Sequence, residues 1–214
     1  MNNITELVFI LDRSGSMHPL TADTIGGFNS MLNKQKEEPG TCFVTTVLFD
    51  DVYETVHDRL PLEAVPPMTQ EIYFARGCTA LLDALGHTVR HIASIHNYAR
   101  TEDVPQKTLF VIITDGMENA SHQFTAEQVK SMIEAQKTEH GWEFLFLASN
   151  IDAVETAKRY GIDENRAVNC RADSRSTTLQ YRAVAEAVSH LREGCPLQDG
   201  WREELDADFS GRPD

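Results

Sequence analysis

Residues 107–114, KTLFVIIT, are nearly continuously apolar over the length of one strand. A strand with one face in water alternates polar and apolar side chains, so a run that is apolar on both sides must be covered on both. The covers are visible in the flanking sequence. Residues 79–96 place Leu81, Leu82, Leu85, Val89, Ile92 and Ile95 on one helical face, and helical periodicity returns at 21–35, 125–139, 154–160 and 177–191.

Between these helices lie apolar segments of strand length at 6–11, 43–49, 143–148 and 167–170. Residues 52–60 follow Asp50-Asp51 with almost no linker, which leaves room only for a hairpin partner at an antiparallel edge. Strands alternating with helices predict an α/β domain: an open, mainly parallel, doubly wound (Rossmann-like) sheet with one antiparallel edge strand and helices on both faces. Ligands of such sheets gather at the carboxyl ends of the strands, near the point where strand order reverses.

The domain is expected to span residues 1–192, with 193–214 as an acidic, Gly/Pro-punctuated tail. Within that tail Trp201, Leu205 and Phe209 are spaced four apart, a stripe expected to dock on the domain itself.

The 33 acidic against 19 basic residues give a formal net charge of −14, so the average surface repels nucleic acid. The early apolar run LVFIL is too short for a membrane span and lacks a basic flank. Cys42, Cys78, Cys170 and Cys195 are scattered without a CxxC pair. Neither a zinc knuckle nor a disulfide framework is indicated, and a cytoplasmic location without membrane association is expected.

Chemistry concentrates where strands end. In FILDRSGSM, Asp12 closes the first apolar run, and Ser14 and Ser16 follow at alternate positions around Gly15. Alone, such residues are also ordinary turn and cap residues. The pattern returns in IITDGMEN, where Asp115 ends the 107–114 run, and ARGCTALLDAL adds Thr79 at a helix entry, where taken alone it would be no more than an N-cap. Short oxygen donors converging on one crevice point to a hard cation.

Asp12, Ser14, Ser16, Thr79 and Asp115, in this order and at these strand ends, resemble the metal-ion-dependent adhesion site (MIDAS) of von Willebrand factor type A domains, the fold shared with integrin I domains. The resemblance covers roughly residues 4–191 and suggests a stand-alone, bacterial-type intracellular member. It implies a Mg2+ ion, with Mn2+ as a substitute, held directly by Ser14 and Ser16 and directly or through water by Thr79. Asp12 and Asp115 would act largely through water while orienting the hydroxyls. Neutral ligands leave the ion much of its charge, so a protein partner's Asp or Glu would complete the coordination. Many relatives carry Gly-Gly-Thr where this chain has Gly77-Cys78-Thr79; the extra side chain is expected to fill a small pocket.

Partner specificity is expected from loop residues around the metal, namely Met17, His18, Tyr73, Arg76, Glu118 and Asn119. Such a domain would be an adaptor or assembly factor. An alternative is metal-mediated self-association, a homo-oligomer in which acids between Glu203 and Asp208 reach the metal of a second copy.

Enzymatic readings fit less well. A haloacid-dehalogenase-type phosphatase needs a second Asp where Ser14 stands, and DRSGS lacks the first glycine of a GxSxG nucleophile elbow. His87 and His91 share a helical face, but Thr88 replaces the Glu of HExxH. No catalytic residue is assigned.

Overall fold

A computed structural model describes residues 4–212. The runs rich in Val, Ile, Leu and Phe form strands β1 (Ile4–Asp12), β2 (Thr41–Phe49), β3 (Tyr53–Pro61), β4 (Lys107–Thr114), β5 (Glu143–Ser149) and β6 (Ala167–Cys170). The intervening amphipathic segments form α1 (Thr21–Lys36), α2 (Leu81–Tyr98), α3 (Ala126–His140), α4 (Ala153–Arg159) and α5 (Ser174–Arg192). A last helix, α6, spans Glu203–Gly211.

The six strands lie in the order β3-β2-β1-β4-β5-β6. Every neighbouring pair is parallel except the hairpin of β2 and β3, as the short connection through Asp50-Asp51 requires. Leu7 of β1 sits between Val44 of β2 and Leu109 of β4. From β1 the chain runs outward to the β3 edge and then returns to pair β4 on the opposite side. That reversal opens a crevice at the carboxyl ends of β1 and β4.

Period-two alternation divides the core. Leu7, Phe9 and Leu11 pack with Phe28 and Leu32 of α1 and Val184 and Val188 of α5. Val8 and Ile10 point to the other face, against Leu85 and Val89 of α2, Ile133 of α3 and Ala157 of α4. Both faces of β4 are therefore covered, which explains its continuous apolar sequence.

The 193–212 segment lies along β6 and α5. Leu205 is buried, and the half-buried Trp201 donates its indole N–H to the Asn165 carbonyl at 2.9 Å. Phe209 remains 42% exposed beneath the Arg171 guanidinium. Three acids of this segment form ion pairs: Glu204 with Arg182, Asp206 with Arg202, and buried Asp208 with both Arg175 and Arg212. Among the described residues, no helix is long and apolar enough to cross a membrane.

Candidate metal centre

β1 delivers Asp12 to the crevice, and the chain then tightens into a 3-10 turn over Gly15–Leu20. One Asp12 carboxylate oxygen accepts the Ser14 backbone N–H at 2.7 Å and the other accepts the Thr114 hydroxyl at 2.6 Å. The Ser14 and Ser16 hydroxyl oxygens are 3.1 Å apart, and Ser16 donates to Asp115 Oδ1 at 2.5 Å. A Cβ built on Gly116 would stand 3.7 Å from Thr79 Oγ1 and 3.9 Å from Ser16 Oγ, so those hydroxyls share one wall. Asp12, Ser14, Ser16, Thr79 and Asp115 thus meet at one place, drawn from three separate loops.

The electrostatics of this cluster are unbalanced. Asp12 is 1% and Asp115 4% exposed, yet among the described residues neither has an Arg, Lys or His within ion-pairing distance. Burial pushes both carboxyls above their ordinary range. The Asp115 charge adds to the effect on Asp12, and hydrogen bonds from Thr114 and Ser14 partly oppose it. Uncompensated buried charge costs several kcal/mol, so two such groups side by side call for a cation.

The donors suit a small hard one. Ligands at 2.0–2.1 Å on adjacent corners of an octahedron lie about 2.8–3.0 Å apart, close to the Ser14–Ser16 spacing of 3.1 Å. Among the described residues no group of three His, Cys, Asp or Glu could hold a metal, so hydroxyls must complete any donor set here.

A supporting layer holds these donors. Buried Tyr73 donates its hydroxyl to the Asp12 carbonyl at 2.5 Å. Asp50 Oδ2 accepts from Arg13 and Arg76, each at 2.8 Å, while its Oδ1 accepts the Val52 N–H. Burial opposes ionisation of Asp50, but the bonds from Arg76, Val52 and Arg13 outweigh it and hold the carboxyl below its ordinary range. Asp51 accepts the Cys78 N–H at 2.9 Å, and the Gly77 carbonyl accepts the Gly15 N–H at 3.1 Å. Gly77 has φ +68°, a conformation that favours glycine, and a side chain there would strike Asp51.

Several expectations are corrected. Thr79 does not cap α2, which begins at Leu81; its N–H is bound by Asn119 Oδ1, and its hydroxyl has no hydrogen-bond partner among the described residues. The start of α2 is capped instead across the crevice: Glu118 accepts the Leu82 N–H and Ser121 the Asp83 N–H. Tyr73 and Met17 are buried supports, not rim residues, because each packs into the core beneath the loops. Glu118 is consumed by backbone N–H groups, whereas His18, Arg76 and Asn119 are exposed. Cys78 fills no pocket: its side chain is exposed, and its backbone is what the site uses.

Thr114, Asp50 and Asp51 escape a reading of sequence. The Asp doublet is the signal that could reveal them, but its turn role is sufficient explanation without the fold. The exposed apolar rim residues Met117 and Phe74, 72% and 41% exposed, carry no motif at all.

No protein-family model and no curated protein sequence matches this chain. Solved structures do. A von Willebrand factor type A protein from Catenulispora acidiphila superposes with a TM-score of 0.57 at 14% identity, over 86% of this chain and 42% of its own. The ArnB paralog VWA2 from Sulfolobus acidocaldarius gives 0.55 at 14% identity, over 87% and 45%. Proximal thread matrix protein 1 from the mussel byssus, described with a zinc-occupied MIDAS motif, gives 0.58 at 14% identity, over 86% and 46%. This chain spans less than half the length of each of those three. At such identity the likeness concerns architecture, and the fold of this chain is that of the von Willebrand factor type A domains.

Proposed function

We propose that this domain is an adaptor or assembly factor that binds a protein partner's Asp or Glu carboxylate at a divalent cation held by Asp12, Ser14, Ser16, Thr79 and Asp115. The observation that carries this reading is the pair of buried, cation-free carboxylates facing three hydroxyls at the strand-order reversal. The zinc-occupied MIDAS of the mussel protein supports a metal at the equivalent crevice. The hard oxygen donors favour Mg2+, with Mn2+ as a substitute. When bound, the cation supplies a positive centre to which an incoming carboxylate can add.

The residues divide the remaining work. Asp12 holds the Ser14 backbone and Thr114 in place, and Asp115 aligns the Ser16 hydroxyl. Ser14, Ser16 and Thr79 present neutral oxygens. Among the described residues no imidazole is hydrogen-bonded to either serine, so neither is prepared as a nucleophile, and binding is favoured over hydrolysis. The four free cysteines fit a reducing cytoplasm. Self-association through Glu204, Asp206 or Asp208 is disfavoured, because each already pairs within the chain.

The test is thermal unfolding of EDTA-treated protein against titrated Mg2+ and Mn2+, with Asp12→Ala and Ser14→Ala alongside. A ligand at a hundredfold its Kd stabilises the folded state by roughly 2.7 kcal/mol, which for a chain of this size raises Tm by about 5–10 °C. The rise should saturate and vanish in both variants. No rise at millimolar metal would refute the site.

A further inference from the structure

Beside the metal donors lies a pocket of about 270 Å3 at the carboxyl ends of β4 and β5, whose lining includes Leu81, Met117, Ile151 and Tyr160. Gly116 belongs both to this pocket and to the wall behind the Thr79 and Ser16 hydroxyls. The two sites are thus contiguous. They are also bonded together: Asn150, in the pocket wall and held at φ +59°, donates its side-chain amide to the Asp115 carbonyl at 3.1 Å.

The volume decides what kind of occupant fits. Small-molecule sites run to about 300–1,000 Å3, so this pocket suits a single large side chain better than a free metabolite. Its charges decide the flanking chemistry. Glu118 accepts the Leu82 N–H at the start of α2 and the Ala120 and Ser121 N–H groups of its own loop, and Asp152 accepts the Glu155 N–H at the start of α4, so each carboxylate is already offset by backbone donors. Arg159, also in the wall, is exposed and forms no ion pair among the described residues, in a chain of net charge −14.

Building on the metal reading above, we infer that the partner presents a segment in which the metal-binding Asp or Glu has a bulky apolar neighbour, and that this neighbour enters the pocket while a further acid pairs with Arg159. The pocket makes specificity a matter of what stands next to the acid. A bare carboxylate would engage only the metal; the apolar side chain adds burial against Leu81, Met117 and Ile151, and Arg159 orients the segment.

The experiment is selection of displayed random short peptides on the full chain in Mg2+, with elution by EDTA. The expected consensus is an acid beside Leu, Ile, Met or Phe, with a second acid nearby. Replacing the apolar residue by Gly in a selected peptide should weaken binding about tenfold to a hundredfold in fluorescence anisotropy. Ile151→Trp, which fills the pocket, should keep the acid and lose the apolar preference, and Arg159→Ala should lose only the second acid; retention of the Mg2+-induced Tm rise verifies that both variants fold. EDTA-eluted peptides that share an acid but no apolar position would overturn the pocket assignment and leave the metal reading standing. Recovery of no EDTA-eluted sequence would overturn both.

Discussion

Replacing Tyr73 with Phe removes one oxygen and leaves the ring where it is. That oxygen is the hydroxyl donating to the Asp12 carbonyl at 2.5 Å, in a residue with no exposed surface. Burial, followed by the neighbouring Tyr181 and the Asp12 charge, pushes the phenol well above its ordinary range, so it remains a donor at any working pH. Its loss leaves a buried acceptor short of a partner, at a cost of about 1–3 kcal/mol. For a chain of this length 2 kcal/mol corresponds to a fall in Tm of roughly 4–8 °C.

The same change loosens the end of β1 just where Asp12 orients the Ser14 turn. Partners that orient metal ligands typically contribute about 10–100-fold in metal affinity, and because Tyr73 holds the backbone of Asp12 and not its carboxylate, the lower end, about tenfold, is expected. Urea and thermal unfolding of metal-free protein measure the first effect, and a Mg2+ titration of Tm measures the second. A Tyr73→Phe protein within 0.5 kcal/mol of the parent and with the same Mg2+ midpoint would refute the idea that this phenol supports the site.

Three further outcomes follow from other parts of the fold. Gly77→Ala forces an L-residue into φ +68° and drives its Cβ to 2.3 Å from Asp51 Oδ2, so about 2 kcal/mol, or roughly 4–8 °C in Tm, and weaker Mg2+ binding are expected; an unchanged Tm would contradict it. Burial holds the His57 imidazole below its ordinary value near 6.5, so the unfolded chain binds the extra proton first. Stability from this residue is present above that value and is lost as pH falls through it, at most about 1.4 kcal/mol per pH unit; urea unfolding between pH 7.5 and 5 should show a shallower dependence in His57→Asn, and an identical slope would argue against it. Leu205→Ala should weaken docking of α6 by about 2–5 kcal/mol and shift Trp201 emission, isolated by difference against Trp201→Phe, to the red; an unmoved spectrum would count against the docked helix.

The layered fold is legible because buried strands and one-sided helices have different apolar periods, and short connections leave few topologies open. Element ends are less legible: β1 begins at Ile4, two residues before the segment expected at 6–11, and includes buried Thr5, because backbone pairing with β2 and β4 does not depend on side-chain polarity. The five donors are readable as residue types at strand ends. Their support is not, since Tyr73 acts on Asp12 across 61 positions and Asp50 on Arg13 across 37.

By itself, then, the sequence of this protein determines the order of its elements, the antiparallel edge and the oxygen donors brought to the sheet's carboxyl end, because each rests on local pattern and on connections too short to permit another path. Only the tertiary structure decides which crevice residues reach solvent and which are buried beneath it, that Glu204, Asp206 and Asp208 of the tail are already paired, and that an apolar pocket adjoins the donors. Burial and pairing belong to neighbours supplied from elsewhere in the chain, and no local pattern encodes them.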